Sequence, residues 1–318
     1  MKLSYKIVLF AVMMGVLFSG CATELYKSGL RTSQKTDSLH QEGRIAGTSQ
    51  INLFHQAWLP KQKSKAVVMI VHGLKDHSDR YADVAKKLSG EGYAIYSYDH
   101  RGHGDSEGNR VWVEEFNDYI ADLGTYYDFV KKAEPNKPIF IFGHGMGGAI
   151  ATMFSLRKVR SIQGMILSAP ALKVGDDVSR FLIGTAKFLG TALPTLAVFG
   201  IKDENFSRDP QVIKAGKADP LIYHHNAPAR TAAELLKIID YIQDHMSEVS
   251  DSFLALHGDK DLVTNPEGSK ELYQKAITQN KSLKIYPGMY HDLLHEPEKD
   301  QVYADILAWL NNEIKTMK

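Results

Sequence analysis

The chain has 318 residues, enough for one large domain carrying an insertion or for two small ones. Apolar residues make up 44% and charged residues 24%, which are globular proportions and argue against a largely disordered chain. A formal net charge of +1 supplies no field for gathering polyanions, so nucleic-acid binding is not expected.

At the N-terminus, Lys2 and Lys6 precede an apolar run over residues 7–18 that ends at Ser19 and Gly20, just before Cys21. A basic start, a short apolar stretch and a small-residue boundary predict a secretory signal over residues 1–20, too short for a comfortable membrane span. Cys21 is the only cysteine, so an intramolecular disulfide is impossible. The segment LFSGC over residues 17–21 resembles a bacterial lipobox. That resemblance implies that Cys21 is lipidated and becomes the mature N-terminus in a bacterial cell envelope. Ala22, where an aspartate would retain such a protein, favours the outer membrane. An ordinary signal peptide with an incidental cysteine, or an uncleaved anchor, stays open. Residues 21–49 are polar and poor in large apolar groups, and read as a tether leading to a domain over residues 50–318.

Beyond the tether, strand-like and helix-like segments alternate. AVVMIV at residues 66–71 reads as a buried strand, followed by a helix near residues 79–88. Residues 93–98 form the next strand, and a glycine-rich loop follows at 101–108. Helical periodicity over 114–133 leads to a strand at 139–142, a helix at 146–156 and a strand at 164–168. Two more strands, near 253–256 and 283–286, each precede a loop and a helix. This alternation predicts an α/β fold with a doubly wound, mostly parallel sheet. Residues 171–226 interrupt it and read as a helical cap inserted after a strand. Within the cap, the spacing of Phe181, Leu182, Phe188, Leu189 and Leu193 predicts one helical face, read either as core or as the lining of an acyl-chain pocket.

The chemistry concentrates at the ends of the strands, where ligands bind in such sheets. The run PIFIFGHGMGG at residues 138–148 reads as strand, sharp turn and helix, which is the G-x-S-x-G nucleophile elbow with Gly145 where the serine belongs. Asp261, in GDKD after one late strand, suits the orienting acid, and His291, in YPGMYHD after the next, suits the general base. The Leu74 N–H, after His72 and Gly73, and the Met146 N–H, after the elbow, are candidate oxyanion donors. Each piece alone is common; their order along the chain, each after a predicted strand, is that of α/β-hydrolases.

Two longer motifs, HGLKDHSDRY at residues 72–81 and DHRGHGDSEG at 99–108, resemble the monoacylglycerol lipase and lysophospholipase family of α/β-hydrolases. FSRDP at 206–210, DPL at 219–221 and RTAAEL at 230–235 resemble the cap and post-cap segments of its bacterial members, and the likeness spans residues 50–315. It implies an α/β-hydrolase fold with an inserted helical cap and a Ser–His–Asp mechanism on monoacyl lipids. No cofactor is expected, and although His291 and His295 stand four apart and His224 and His225 adjoin, the lack of an H-E-x-x-H motif argues against a metal. The resemblance also implies that Asp261 and His291 are acid and base, and that Leu74 and Met146 are the oxyanion donors. Two departures stand out: Gly145 replaces the serine, and Lys75–Asp76 replaces Gly–Glu.

Glycine cannot attack a carbonyl, so the chain as written is expected to be inactive or severely impaired as a carboxylic ester hydrolase. An acyl-lipid-binding pseudoenzyme is the alternative. Membrane contact is expected through the lipid anchor and the apolar cap.

Overall fold

The computed structural model describes residues 39–175 and 180–317. The signal segment, Cys21 and the start of the tether lie outside the described residues. No helix among the described residues is long and apolar enough to cross a membrane.

Strands β1 (His40–Ala46), β2 (Asn52–Trp58), β3 (Val67–Val71), β4 (Ala94–Tyr98), β5 (Ile139–His144), β6 (Gly164–Ser168), β9 (Phe253–Gly258) and β10 (Lys281–Tyr286) form one eight-stranded sheet in the order β1-β2-β4-β3-β5-β6-β9-β10. The short β7 (Ala197–Phe199) and β8 (Ala227–Pro228) pair with each other elsewhere. β1 and β2 run antiparallel at one edge, and every pairing from β4 to β10 is parallel. The inner strands are mostly apolar because both sheet faces are covered.

Alternation along the strands sorts side chains into two cores. Val67, Met69, Val71, Ile139, Ile141, Met165 and Leu167 face one side. There they meet helices α2 (Asn117–Ala133), α3 (Met146–Leu156) and α6 (Ala229–His245), and Leu272 of α7 (Pro266–Lys275) joins the same core. Val68, Ile70, Phe140, Phe142 and Ile166 face the other side, against α1 (Ala82–Gly90) and α8 (Lys299–Thr316). Burying each such side chain contributes about 1.5–3 kcal/mol. Helix α3 is buried from Met146 through Ser155, which explains its nearly all-apolar composition.

The structure corrects two expectations. The sheet begins inside the segment expected to be tether: β1 pairs with β2 over its whole length, His40 opposite Trp58 and Ala46 opposite Asn52. Ile45 is its one buried residue, as befits an edge strand facing solvent, so no apolar run marks it. Arg44 Nη1 donates to the Asp105 carbonyl at 2.9 Å, and the Thr48 hydroxyl donates to buried Asp122 at 2.7 Å, fixing the segment to the domain.

The second correction concerns the cap, which comprises α4 (Arg180–Ala192), β7, α5 (Pro210–Ala218) and β8. Of the face expected on its first helix, Leu189 turns inward but Phe188 and Leu193 do not. Phe188 is 68% and Leu193 46% exposed, whereas Ile183, Ala186 and Leu189 line a cavity. Gly190 sets this rotation: a Cβ there would lie 2.4 Å from Ala233 Cβ and 2.9 Å from the Ala229 carbonyl of α6. Only glycine lets α4 and α6 approach so closely, and Phe188, two residues away, is turned outward. The side chains of Phe181 and Leu182 lie outside the described residues.

Candidate active site

Gly145 is the single residue between β5 and α3, with φ +55° and ψ −118°. Glycine adopts this conformation freely, whereas any other residue is strained there. Its N–H donates to the Ser168 carbonyl at 3.1 Å, and its own carbonyl accepts from Ala171 N–H at 2.9 Å and Gly148 N–H at 3.0 Å. The turn is therefore tied to β6 and to the first turn of α3.

The neighbouring glycines answer a different need. A Cβ on Gly143 would lie 2.4 Å from the Gly147 carbonyl, one on Gly147 would lie 2.0 Å from that of Val71, and one on Gly148 would lie 2.5 Å from Pro170 Cβ. These positions exclude a side chain on steric grounds. A Cβ on Gly145 instead meets only His291 Nε2 at 3.3 Å and Cε1 at 3.7 Å, and Gly73 Cα at 3.7 Å. A hydroxyl on that Cβ would fall within hydrogen-bond reach of the imidazole, the contact a nucleophilic serine makes with its base.

His291 follows β10, and Asp261 follows β9. Their side chains meet directly, His291 Nδ1 to Asp261 Oδ2 at 2.8 Å, with both residues buried. Asp261 is richly solvated by the protein. Oδ1 accepts from Val263 N–H at 2.7 Å and Thr264 N–H at 3.0 Å; Oδ2 also accepts from the Thr264 hydroxyl at 2.8 Å and lies 3.1 Å from His257 Nε2. Burial by itself would push its carboxyl up, but the facing His291 and the hydrogen bonds from His257 and His291 hold it well below the usual carboxylate range. Asp261 is thus a fixed anion hydrogen-bonded to the ring of His291.

Next to this pair, the ring of His144 lies 4.5 Å from that of His291, centroid to centroid. Burial, reinforced by His291, pushes the His144 pKa down to about 4, so it stays neutral beside the base. Phe206, from the cap, packs edge-on against the other side of His291 at 5.7 Å.

Gly73, Leu74, Gly145, Met146, Asp261 and His291 line one cavity of about 830 Å³ beneath the cap. Leu74 and Met146 line the cavity together with Gly145. The cap contributes an apolar wall that includes Ile183, Leu189, Val212 and Ile213, joined by Leu235 and Ile239 of α6. The cavity accordingly combines the hydrogen-bonded His291–Asp261 pair with an apolar wall. Among the described residues, no group of three or more His, Cys, Asp or Glu side chains is arranged to hold a metal.

A family model described as serine aminopeptidase, S33, matches residues 62–298. The chain is 33% identical to monoacylglycerol lipase of Mycolicibacterium smegmatis, covering 86% of this chain and 98% of that protein. It is 32% identical to human monoglyceride lipase, covering 83% of this chain and 88% of the other. The chain belongs to the monoacylglycerol lipase family of α/β-hydrolases. The crystal structure of Paleococcus ferrophilus monoacylglycerol lipase superposes with a TM-score of 0.73 at 26% identity, over 82% of this chain and 99% of that one.

Seen as a monoacylglycerol-lipase-family site, the cavity has further parts that the sequence does not single out. His257 and Thr264 share Asp261, and neither stands in a motif that suggests it. Two anchors bolt the cap to the loops that carry the chemistry. In the first, Asp292 N–H, next to His291, donates to the Phe206 carbonyl at 2.8 Å, while the Ser207 hydroxyl and Arg208 N–H each donate to buried Glu296 at 2.7 Å. In the second, Asp219 Oδ2 lies 2.9 Å from His77 Nε2, on the loop carrying Leu74. The FSRDP and DPL motifs are the visible trace of these anchors, but their partners are distant in sequence. A buried cluster of Asp76, Arg80, Tyr81, Asp292 and His295 braces the same two loops from beneath.

Proposed function

We propose that this chain is a monoacyl-lipid ester site built for a Ser–His–Asp mechanism, with the nucleophile position occupied by Gly145, so that the chain as written binds its lipid but turns it over barely or not at all. The observation that carries this reading is the contrast at the elbow: Gly145 alone among its neighbours leaves room for a side chain, and that room is aimed at His291 Nε2.

With a serine at 145, His291 would take the hydroxyl proton as it attacked the ester carbonyl. Asp261 would hold the ring in the required tautomer, and the Leu74 and Met146 N–H groups would receive the oxyanion. Donation of the proton to the departing alcohol would leave an acyl-enzyme for water to hydrolyse. Without the hydroxyl, only direct attack by a water activated by His291 remains. Loss of a triad member in serine proteases leaves roughly 10³–10⁴-fold acceleration over water.

The apolar cap wall supports a single acyl chain as the bound group, and the related lipases support the substrate class. The LFSGC segment supports attachment to a bacterial envelope membrane through Cys21. The test is monoacylglycerol hydrolysis by the chain and by Gly145→Ser. Turnover by the variant alone is the expected result. An active parent sinks the missing-nucleophile reading, and failure of a folded variant to hydrolyse leaves the lipid-binding pseudoenzyme.

A further inference from the structure

Lys75 follows the oxyanion residue Leu74 directly, with φ +67°, in the left-handed region where a non-glycine residue costs roughly 1–2 kcal/mol. It is 8% exposed, yet it lines the cavity. Its ammonium makes no ion pair within 4 Å among the described residues; its nearest aromatic partner is Tyr223, whose ring centre is 5.9 Å away. The Tyr223 N–H donates to the Lys75 carbonyl at 3.2 Å, so cap and loop fix the lysine together. A buried cation without a hydrogen-bonded anion is an unusual thing to hold at a strained position. Asp203, on the cap, lines the same cavity and likewise forms no ion pair within 4 Å among the described residues.

The other charges of the lining already have partners. Asp76 is paired with Arg80, Asp261 with His291, and Lys173 with Glu271 at 2.9 Å. This leaves one cation beside the oxyanion loop and one anion on the cap.

The geometry points to Lys75 and Asp203 as a head-group receptor for a zwitterionic monoacyl lipid, with Lys75 taking a phosphate and Asp203 the ammonium attached to it. This rests on the monoacyl-lipid reading of the cavity and narrows its substrate class. A phosphate offers the ammonium of Lys75 the charge-assisted hydrogen bonds its surroundings lack. Burial pushes the Lys75 ammonium down and the field of Asp203 pushes it up.

The test is equilibrium binding of lauroyl lysophosphatidylethanolamine, lauroyl lysophosphatidylglycerol and monolaurin to the chain as written, which holds them without consuming them. Lysophosphatidylethanolamine is expected to bind at least about tenfold more tightly than monolaurin. Lys75→Met, which keeps the apolar stem, is expected to collapse that ratio. Asp203→Asn is expected to lower the ratio of the ethanolamine lipid to the glycerol lipid, which carries phosphate but no ammonium. Equal affinity of the chain for all three lipids overturns the receptor while leaving the monoacyl-lipid reading intact, as does a Lys75→Met variant whose ratios match the parent's. If monolaurin and both phospholipids all fail to bind, the underlying reading falls, and the receptor with it.

Discussion

The His291–Asp261 half of the site and the turn at Gly145 are built in opposite ways. Asp261 and His291 are over-determined: Val263, Thr264 and His257 all converge on the carboxylate, and Phe206 and His144 hold the imidazole between them. At the elbow, the backbone of Gly145 is just as firmly tied, to Ser168 and Ala171, but no side chain projects from it. Polar groups buried this thoroughly hold their geometry whether or not a reaction uses them, because leaving any one unpaired costs about 1–3 kcal/mol. The nucleophile, by contrast, sits on a strained residue whose removal relaxes the backbone. A hydrolase can therefore lose its serine with a gain in stability and with the remaining machinery preserved.

Four changes would break or sharpen this contrast. The largest effect is expected from Asp261→Asn in a Gly145→Ser background. If the acid–base half is poised for catalysis, ester turnover should fall about 10⁴-fold, as it does when the equivalent acid is neutralised in a serine protease; a drop of only a few-fold would mean that Asp261 is structural. Next is Gly147→Ala in the chain as written. Its Cβ would approach the Val71 carbonyl to 2.0 Å and the His72 carbonyl to 2.6 Å, so the elbow must shift or unfold, and urea titration should show a loss of about 3 kcal/mol or more.

Gly145→Ala should cost less, about 1–3 kcal/mol, because backbone strain and one tight contact with the His291 ring at 3.3 Å oppose it, rather than a clash with backbone. The comparison of these two glycines measures steric need against conformational need on one turn. An alanine at 145 that cost as much as one at 147 would show that the room beside His291 is not usable.

The smallest effect concerns the His77–Asp219 anchor of the cap. Burial would lower the His77 pKa, but the hydrogen bond to Asp219 and the fields of Asp99 and Asp76 outweigh it and raise it above the usual 6.5. A raised histidine pKa means that the folded state binds the proton more tightly than the unfolded chain. The resulting stability is fully present below about pH 6.5 and is lost as pH rises through the folded-state pKa. The stability gap between the chain and Asp219→Asn should therefore narrow by about 1 kcal/mol or less on going from pH 6 to pH 9, read from urea midpoints. A gap that widens with pH would mean that His77 is neutral in the fold.

Much of this was legible along the chain. The apolar runs at residues 66–71, 139–142 and 164–168 marked inner strands because a parallel sheet covered on both faces leaves no polar position in them. The placement of Gly145, Asp261 and His291 after strands β5, β9 and β10 pointed to one cavity, because such sheets gather the ends of their strands at one edge. β1 was not legible, since an edge strand with one buried residue carries no hydrophobic period. The outward turn of Phe188 was not legible either, because the spacing in α4 is compatible with more than one face, and Gly190 chooses between them only once α6 is beside it.

By itself, then, the sequence determined the fold class, the family and the presence of glycine at position 145. These are properties of local pattern and of residue identity. Only the tertiary structure decided that Gly145 has room for a side chain while Gly143, Gly147 and Gly148 do not, that Asp261 is held anionic by the facing His291 of another loop, and that Lys75 lines the cavity without an ion pair within 4 Å among the described residues. Each depends on distances between segments remote in sequence, and no pattern along the chain encodes those distances.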